Sequence, residues 1–194
     1  MSRILLFSGS QRKASFNTRL LHHLAMGLAG CVEIDMLAAH EIDLPLFNQD
    51  LESDPAIAEH IVALHARFLR ADGLIIASPE FNCLPSPFLK NTIDWISRQA
   101  YIHAEVQNPF HGCPILLCSA STGWSGGAVG LTSLRTLFAY LGALVVGEQI
   151  CIPYVQQAWN GAEYCFDTLL EDNIYSVLDR FIGLVLQQST TENP

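Results

Sequence analysis

The sequence predicts a three-layer α/β domain built on a five-stranded, mostly parallel sheet. Three observations carry that reading: five short apolar runs, a helical pattern after each, and near-continuous apolar content in four of the runs, as expected of strands covered on both faces. The chain has 194 residues, 50% apolar and only 15% charged. Domains usually run to roughly 100–200 residues, so one domain is expected, with enough apolar material for a substantial core.

The strand candidates are RILLFS (3–8), VEIDML (32–37), GLIIAS (73–78), PILLCS (114–119) and ALVVGE (143–148). VEIDML alternates in polarity, which suits a sheet edge. A first helix is expected after Asn17, a favoured cap, ending near Gly30. The second has Asp54 as cap, Pro55 at the first helical position, and Ile57, Ile61, Leu64 and Phe68 at helical spacing. Further helices are expected over about 88–99, over about 127–141 before Gly142, and over about 163–187. The domain is expected to span 1–188, followed by a frayed tail at 189–194. Right-handed crossovers and this element count correspond to the flavodoxin-like arrangement, strand order 2-1-3-4-5, in which ligands bind beyond the carboxyl ends of the strands where the order reverses.

The net charge is −9 with only two lysines, Lys13 and Lys90, so neither nucleic acid nor an anionic membrane surface is an expected partner. An anionic ligand must be held locally, and Arg3, Arg12, Lys13 and Arg19 concentrate basic charge at the start of the chain. The six cysteines, Cys31, Cys83, Cys113, Cys118, Cys151 and Cys165, form no CxxC pair and read as reduced and mostly structural. The apolar start at 4–7 is too short for a signal-peptide core, and no run approaches the roughly 20 apolar residues of a membrane span. A cytoplasmic location is expected.

Three loops fall at the carboxyl edge of the expected sheet. SGSQRKASFN (8–17) offers Ser8, Ser10, Ser15, Asn17 and the following Thr18, together with Arg12 and a helix N-terminus, a donor set suited to one phosphate. GxGxxG needs further glycines where this loop has only Gly9, and GxxxxGK[ST] is absent, so a terminal monophosphate fits better than a pyrophosphate. PEFN (79–82) reads as a stiff turn after the central strand, with backbone groups able to meet the edge of a flavin ring. SASTGWSGG (119–127) contains three glycines that let the backbone approach a flat ligand. No metal site is expected: His22 and His23 are adjacent, His60 and His65 are five apart, and surface or capping roles are expected for the histidines. The Gly123–Gly127 run is not read as a hydrolase nucleophile elbow.

At these residues the chain resembles the NADPH-dependent FMN reductase family, a flavodoxin-like group that includes chromate, quinone and azo-dye reductases. The resemblance rests on GSxRxxSxN at Gly9, Ser10, Arg12, Ser15 and Asn17, on PE[YF]N at Pro79–Asn82 followed by LKNxIDWxSR from Leu89 to Arg98, and on STGxxGG from Ser121 to Gly127 followed by LRxxLxxLGA from Leu134 to Ala143. It covers roughly residues 3–150. It implies FMN as cofactor, with Ser10, Arg12, Ser15, Asn17 and Thr18 around the phosphate, Pro79, Glu80, Phe81 and Asn82 along the ring, and Ser121, Thr122 and Gly123 at its other edge. NADPH or NADH would be co-substrate to a small acceptor, a quinone, free flavin, azo compound or metal oxyanion, in a ping-pong cycle.

Phe81 stands where tyrosine is common, and Cys83 and Leu84 depart from the family's usual pair. Phe81, Cys83, Leu84 and Trp124 are expected to wall the substrate pocket. The resemblance also implies a homodimer or dimer of dimers, and since Trp95 lies off the Leu89, Ile93, Ile96 stripe, an interface role is expected for Trp95, Asp94 and Arg98. The chemistry belongs to the flavin, so no catalytic side chain is expected. The reading from another class is a non-enzymatic flavin-binding electron carrier or redox-responsive interaction module.

Overall fold

The structure, a computed structural model, describes residues 1–160 and 163–191. Five parallel strands, β1 (Arg3–Ser8), β2 (Glu33–Leu37), β3 (Gly73–Ala77), β4 (Pro114–Ala120) and β5 (Leu144–Ile152), lie in the order β2-β1-β3-β4-β5. The helices are α1 (Phe16–Leu28), α2 (Pro55–Leu69), α3 (Pro87–Ile102), α4 (Ala128–Tyr140) and α5 (Thr168–Thr191). The expected architecture and order are therefore present.

Alternation along β1 shows why both faces are covered. Ile4 and Leu6 enter one core with α1 and α5, while Leu5 and Phe7 enter a second core with α2, α3 and α4. Side chains of successive strand residues point to opposite faces, so a strand buried on both sides must be apolar throughout. β1 and β3 satisfy this, being buried at nearly every position. The edge strand β2 is not, and its buried Asp35 is held by Arg67 of α2 and by Arg3.

Several boundaries differ from expectation. Helix α1 is capped by Ser15, whose hydroxyl accepts the Thr18 N–H, rather than by Asn17. β5 continues to Ile152 past an irregularity opposite Ile115–Leu117, because Gly147, Glu148 and Gln149 interrupt the apolar run that marks its start. α5 begins at Thr168, since Glu163–Tyr164, where helix was expected, pairs with Trp159–Asn160 as a short antiparallel ribbon. The same helix extends to Thr191, so the expected tail is helical that far, and 192–194 lie outside the described residues. Among the described residues no helix is long and apolar enough to cross a membrane.

Candidate active site

The carboxyl ends of β1, β3 and β4 are tied together by hydrogen bonds that the loops make to one another. Gly9 N–H donates to Ala77 O and Ser78 N–H to Cys118 O. Asn17 spans the gap between the first and last loops: its amide donates to Ala120 O at 3.1 Å and accepts from Ala120 N–H at 3.0 Å. Ser86 caps α3 by accepting the Leu89 N–H and donates its own proton to Gly9 O. Glu80 reaches across to accept the Gly130 N–H at 2.7 Å in the first turn of α4. A carboxylate there is favoured by the free N–H groups and partial positive charge of a helix start. Three loops that could move separately thus form one rim.

The first loop lines a cavity with hydroxyl and guanidinium groups. Ser8, Ser10, Arg12 and Thr18 line a common cavity at the start of α1. The Thr18 hydroxyl donates to Ser8 Oγ at 3.0 Å. Arg12 is exposed, donates to Ala14 O and lies over the Phe16 ring, 5.1 Å from its centroid. Ser15 and Asn17 are buried and absent from the lining of this cavity: the Ser15 hydroxyl accepts the Thr18 N–H, and the Asn17 amide pairs with the backbone of Ala120. The five residues expected around a phosphate therefore divide: Ser10, Arg12 and Thr18 face the cavity, and Ser15 and Asn17 shape it. Ser8, named in the loop's donor set but not among the five that the resemblance implies, lines the same cavity.

PEFN is not merely a stiff turn. Glu80–Phe81 pairs antiparallel with Leu84–Pro85 in a two-residue hairpin, and the turn residues Asn82 and Cys83 both have positive φ, 52° and 65°. Such primed turns match strand twist but usually recruit glycine, and a non-glycine residue in that region costs of order 1–3 kcal/mol. The tie from Glu80 to α4 holds the hairpin in place. Phe81 and Leu84 stand side by side, 54% and 56% exposed. Pro79 O is already taken by the Ser78 hydroxyl and the Glu80 carboxylate by Gly130, so both shape the platform.

The third loop closes the opposite side. Ser121 Oγ accepts the Gly123 N–H, Thr122 is exposed, and Trp124 is 78% exposed. Gly127 caps α4 with φ +88°, and a Cβ at this position would collide with Ser119 Oγ. Residues 123–127 do satisfy the letters GxSxG between a strand and a helix, contrary to the sequence reading. The hydrolase exclusion stands on other grounds. Ser125 Oγ accepts the Gly127 N–H, and no histidine follows in the chain to complete the Ser-acid-His order of that motif.

Two further expectations are corrected. Trp95 is fully buried, its indole donating to Pro45 O at 2.8 Å and its ring edge-on to Phe47 at 4.8 Å, because residues 42–54 fold over a second face of α3. It takes no part in an interface. Asp94 pairs with Lys90, and Arg98 with Glu52, within one chain. His65, expected at the surface or at a cap, is buried with Nε2 2.9 Å from Gln107 O, and burial pushes its pKa down. Among the cysteines Cys113 and Cys118 are buried, burial pushing the Cys113 thiol up to about 12, whereas Cys31, Cys83 and Cys165 are exposed.

A doubly wound sheet with a hydroxyl- and arginine-lined cavity at the start of the helix after β1, and with its β1, β3 and β4 loops laced together, is the arrangement in which such sheets bind nucleotides and flavins. The chain belongs to the NADPH-dependent FMN reductase family, whose model matches residues 2–157. It is 31% identical over 146 residues to a quinone reductase of Escherichia coli (strain K12), covering 75% of this chain and 74% of that protein. It is 33% identical over 147 residues to a 2-hydroxy-1,4-benzoquinone reductase of a Burkholderia species, covering 75% of each. Among solved structures it is similar to FerB, a flavoenzyme NAD(P)H:(acceptor) oxidoreductase from Paracoccus denitrificans, with TM-score 0.83 and 25% identity over 96% of this chain and 98% of that one.

Proposed function

We propose that this chain is a single-domain, FMN-containing oxidoreductase that takes reducing equivalents from NAD(P)H and delivers them to a small acceptor of the quinone class. The observation that carries the reading is the cradle at α1 laced to the hairpin and glycine loop. It offers a donor set for one phosphate and, beside it, a rigid rim for a planar ring. Quinone reductases among the relatives support the acceptor class.

The donor set fits FMN. Ser8, Ser10, Thr18 and Arg12 would hold the phosphate, where charge-assisted hydrogen bonds from a guanidinium contribute about 1.5–3 kcal/mol. The Pro79–Asn82 hairpin and Ser121–Gly123 would bracket the ring. When bound, FMN supplies the redox chemistry, exchanging hydride with NAD(P)H and electrons with the acceptor. This chain's residues supply the rest: Glu80 and Asn17 hold the rim, and Phe81, Cys83, Leu84 and Trp124 wall one open site. Two planar substrates cannot both come within roughly 3–3.5 Å of the same face, so nicotinamide and acceptor use that site in turn, a ping-pong cycle.

The remaining proposals are a cytoplasmic location and self-association. A groove of about 570 Å³ between α3 and α4, lined by Phe47, Ile93, Leu137 and the exposed Tyr101 and Tyr140, supports a homodimer or dimer of dimers in which Asp94 and Arg98 lie near the contact and Trp95 does not. Light scattering of the FMN-loaded protein should give at least a dimer mass.

Anaerobic addition of NADPH to the FMN-loaded protein is the central test. Bleaching of the flavin, followed by recovery on adding a quinone, with parallel double-reciprocal lines, is expected. Intersecting lines would overturn the shared site. A flavin that stays oxidised would favour a one-electron carrier instead.

A further inference from the structure

Among the described residues three that are not glycine have positive φ: Asn82 and Cys83 in the hairpin turn, and Tyr154, with φ 46° and ψ 39°. The left-handed region is disfavoured for a bulky side chain. Such conformations persist only where the surroundings over-determine them, and they cluster at active sites and ligand clamps. Asn82 and Cys83 border the proposed site, and Tyr154 lies just beyond β5.

The glycine loop holds Tyr154 in place. Ser121 N–H donates to Ile152 O and Val155 N–H donates back to Ser121 O, both at 3.0 Å, while Tyr154 N–H donates to Gly123 O at 3.3 Å. Gly126 packs so closely on this segment that a Cβ there would stand 3.0 Å from the Cys151 carbonyl carbon and from the Pro153 nitrogen. Ile152 and Val155 are buried in the core beneath α1 and α5. The left-handed turn between these two anchors leaves the tyrosine outside, 48% exposed. Its backbone is bonded to the residue before Trp124, which is itself 78% exposed.

The exposed apolar side chains around the open site therefore fall on two flanks. Phe81 and Leu84 follow β3, while Trp124 and Tyr154 follow β4 and β5. β4 separates β3 from β5, and adjacent strands lie roughly 4.8 Å apart, so the outer flanks stand about 10 Å apart. A single quinone ring held against Phe81 stops short of the β5 flank, whereas a second fused ring reaches it. We infer that Tyr154 is a specificity-determining residue whose ring packs on the far ring of a fused two-ring quinone, so that the site prefers such acceptors to one-ring quinones. This rests on the proposed acceptor site beside the flavin, but not on the identity of the electron donor.

The test is equilibrium titration of the oxidised, FMN-loaded protein, with no reductant present, by dimethylnaphthoquinone and by duroquinone. The two differ in the fused ring, and neither has an unsubstituted quinone carbon for the exposed thiol of Cys83 to attack. The wild type should bind dimethylnaphthoquinone more tightly. An aromatic pair contributes about three- to tenfold in affinity beyond the area it buries. Tyr154→Asn removes the ring and tolerates the left-handed backbone, so it should lower the affinity for dimethylnaphthoquinone relative to duroquinone by at least about threefold. Tyr154→Phe keeps the ring and should keep the wild-type ratio. A thermal melt checks folding, and Tyr154→Gly, which enters the left-handed region freely, takes the place of Tyr154→Asn if the latter does not fold.

Equal wild-type affinity for the two quinones, an unchanged ratio in Tyr154→Asn, or an equal loss in Tyr154→Phe would overturn the assignment, as would failure to bind either quinone. Flavin that stays oxidised on adding NADPH, with the quinone ratios as expected, would refute the reductase reading and leave the role of Tyr154 standing.

Discussion

Asn17→Ala separates two roles that a loop asparagine beside a phosphate cradle can have. In the structure its amide makes two buried hydrogen bonds with the backbone of Ala120, 103 residues away. Truncation leaves a buried N–H and a buried C=O without partners, at about 1–3 kcal/mol each, or roughly 2–6 kcal/mol together. In a protein of this size about 1 kcal/mol moves the melting temperature by about 2–4 °C, so a fall of roughly 4–24 °C is expected. Because Asn17 ties the first loop to the end of β4, riboflavin and FMN should weaken in similar proportion. Asn17→Asp should do no better, since a carboxylate would face Ala120 O. Urea denaturation of the flavin-free protein and titrations with both flavins give the two readings. A variant of unchanged stability that loses FMN but not riboflavin affinity would show Asn17 to be a phosphate ligand and refute the clamp.

Arg12→Ala should weaken FMN by about 1.5–3 kcal/mol, roughly 10- to 150-fold, while riboflavin titration is unaffected. Trp95→Ala should cost about 3–5 kcal/mol of stability, the usual range for emptying a buried aromatic site; a loss under about 1 kcal/mol would contradict its burial. Arg67→Ala removes one of the two arginines on the buried Asp35 and leaves Arg3, so stability at pH 7 should fall by less than the roughly 3–5 kcal/mol typical of a buried charge left wholly unpaired. Burial pushes the Asp35 pKa up, but hydrogen bonds and charge from Arg67 and Arg3 outweigh it and hold the group below its ordinary value. A lowered carboxylate contributes stability that is full above the unfolded value, about 3.9, and is lost as pH falls through the lowered one. Wild-type stability should therefore drop below about pH 4, and the Arg67→Ala profile should be flatter there.

The strands were legible because burial on both faces demands continuous apolar sequence, and RILLFS and GLIIAS meet that demand without help from the rest of the chain. Asp54-Pro55 marked the start of α2 because capping is local chemistry, and the structure keeps that cap. What was not legible depends on distant partners. Ser15 and Asn17 are both favoured caps, and only the backbone of Ala120 decides that Asn17 turns away from its own helix. Trp95 lies off the stripe of α3, and nothing in its helical spacing tells that residues 42–54 cover the second face. Ser86 could have been found: a serine directly before a proline that opens a helix is a cap signature. Its further bond to Gly9 O could not. Glu80 was expected beside the ring, and its tie to Gly130 needs α4 to be placed first.

The hairpin at 80–85 has a consequence for how such a protein can change its substrates. Phe81 and Leu84 project from a ribbon held by its own two-residue turn and by the Glu80 carboxylate, and neither side chain belongs to the buried cores. Exchanging them alters the outline of the open site without disturbing a packed layer, so each trial carries little risk of unfolding. The strained turn and the carboxylate tie act as a fixed handle, and the two side chains as an interchangeable tip. If the open site takes the acceptor as proposed, a lineage can try new acceptors at this tip while the sheet, the first loop and the bonds that lace the rim stay as they are.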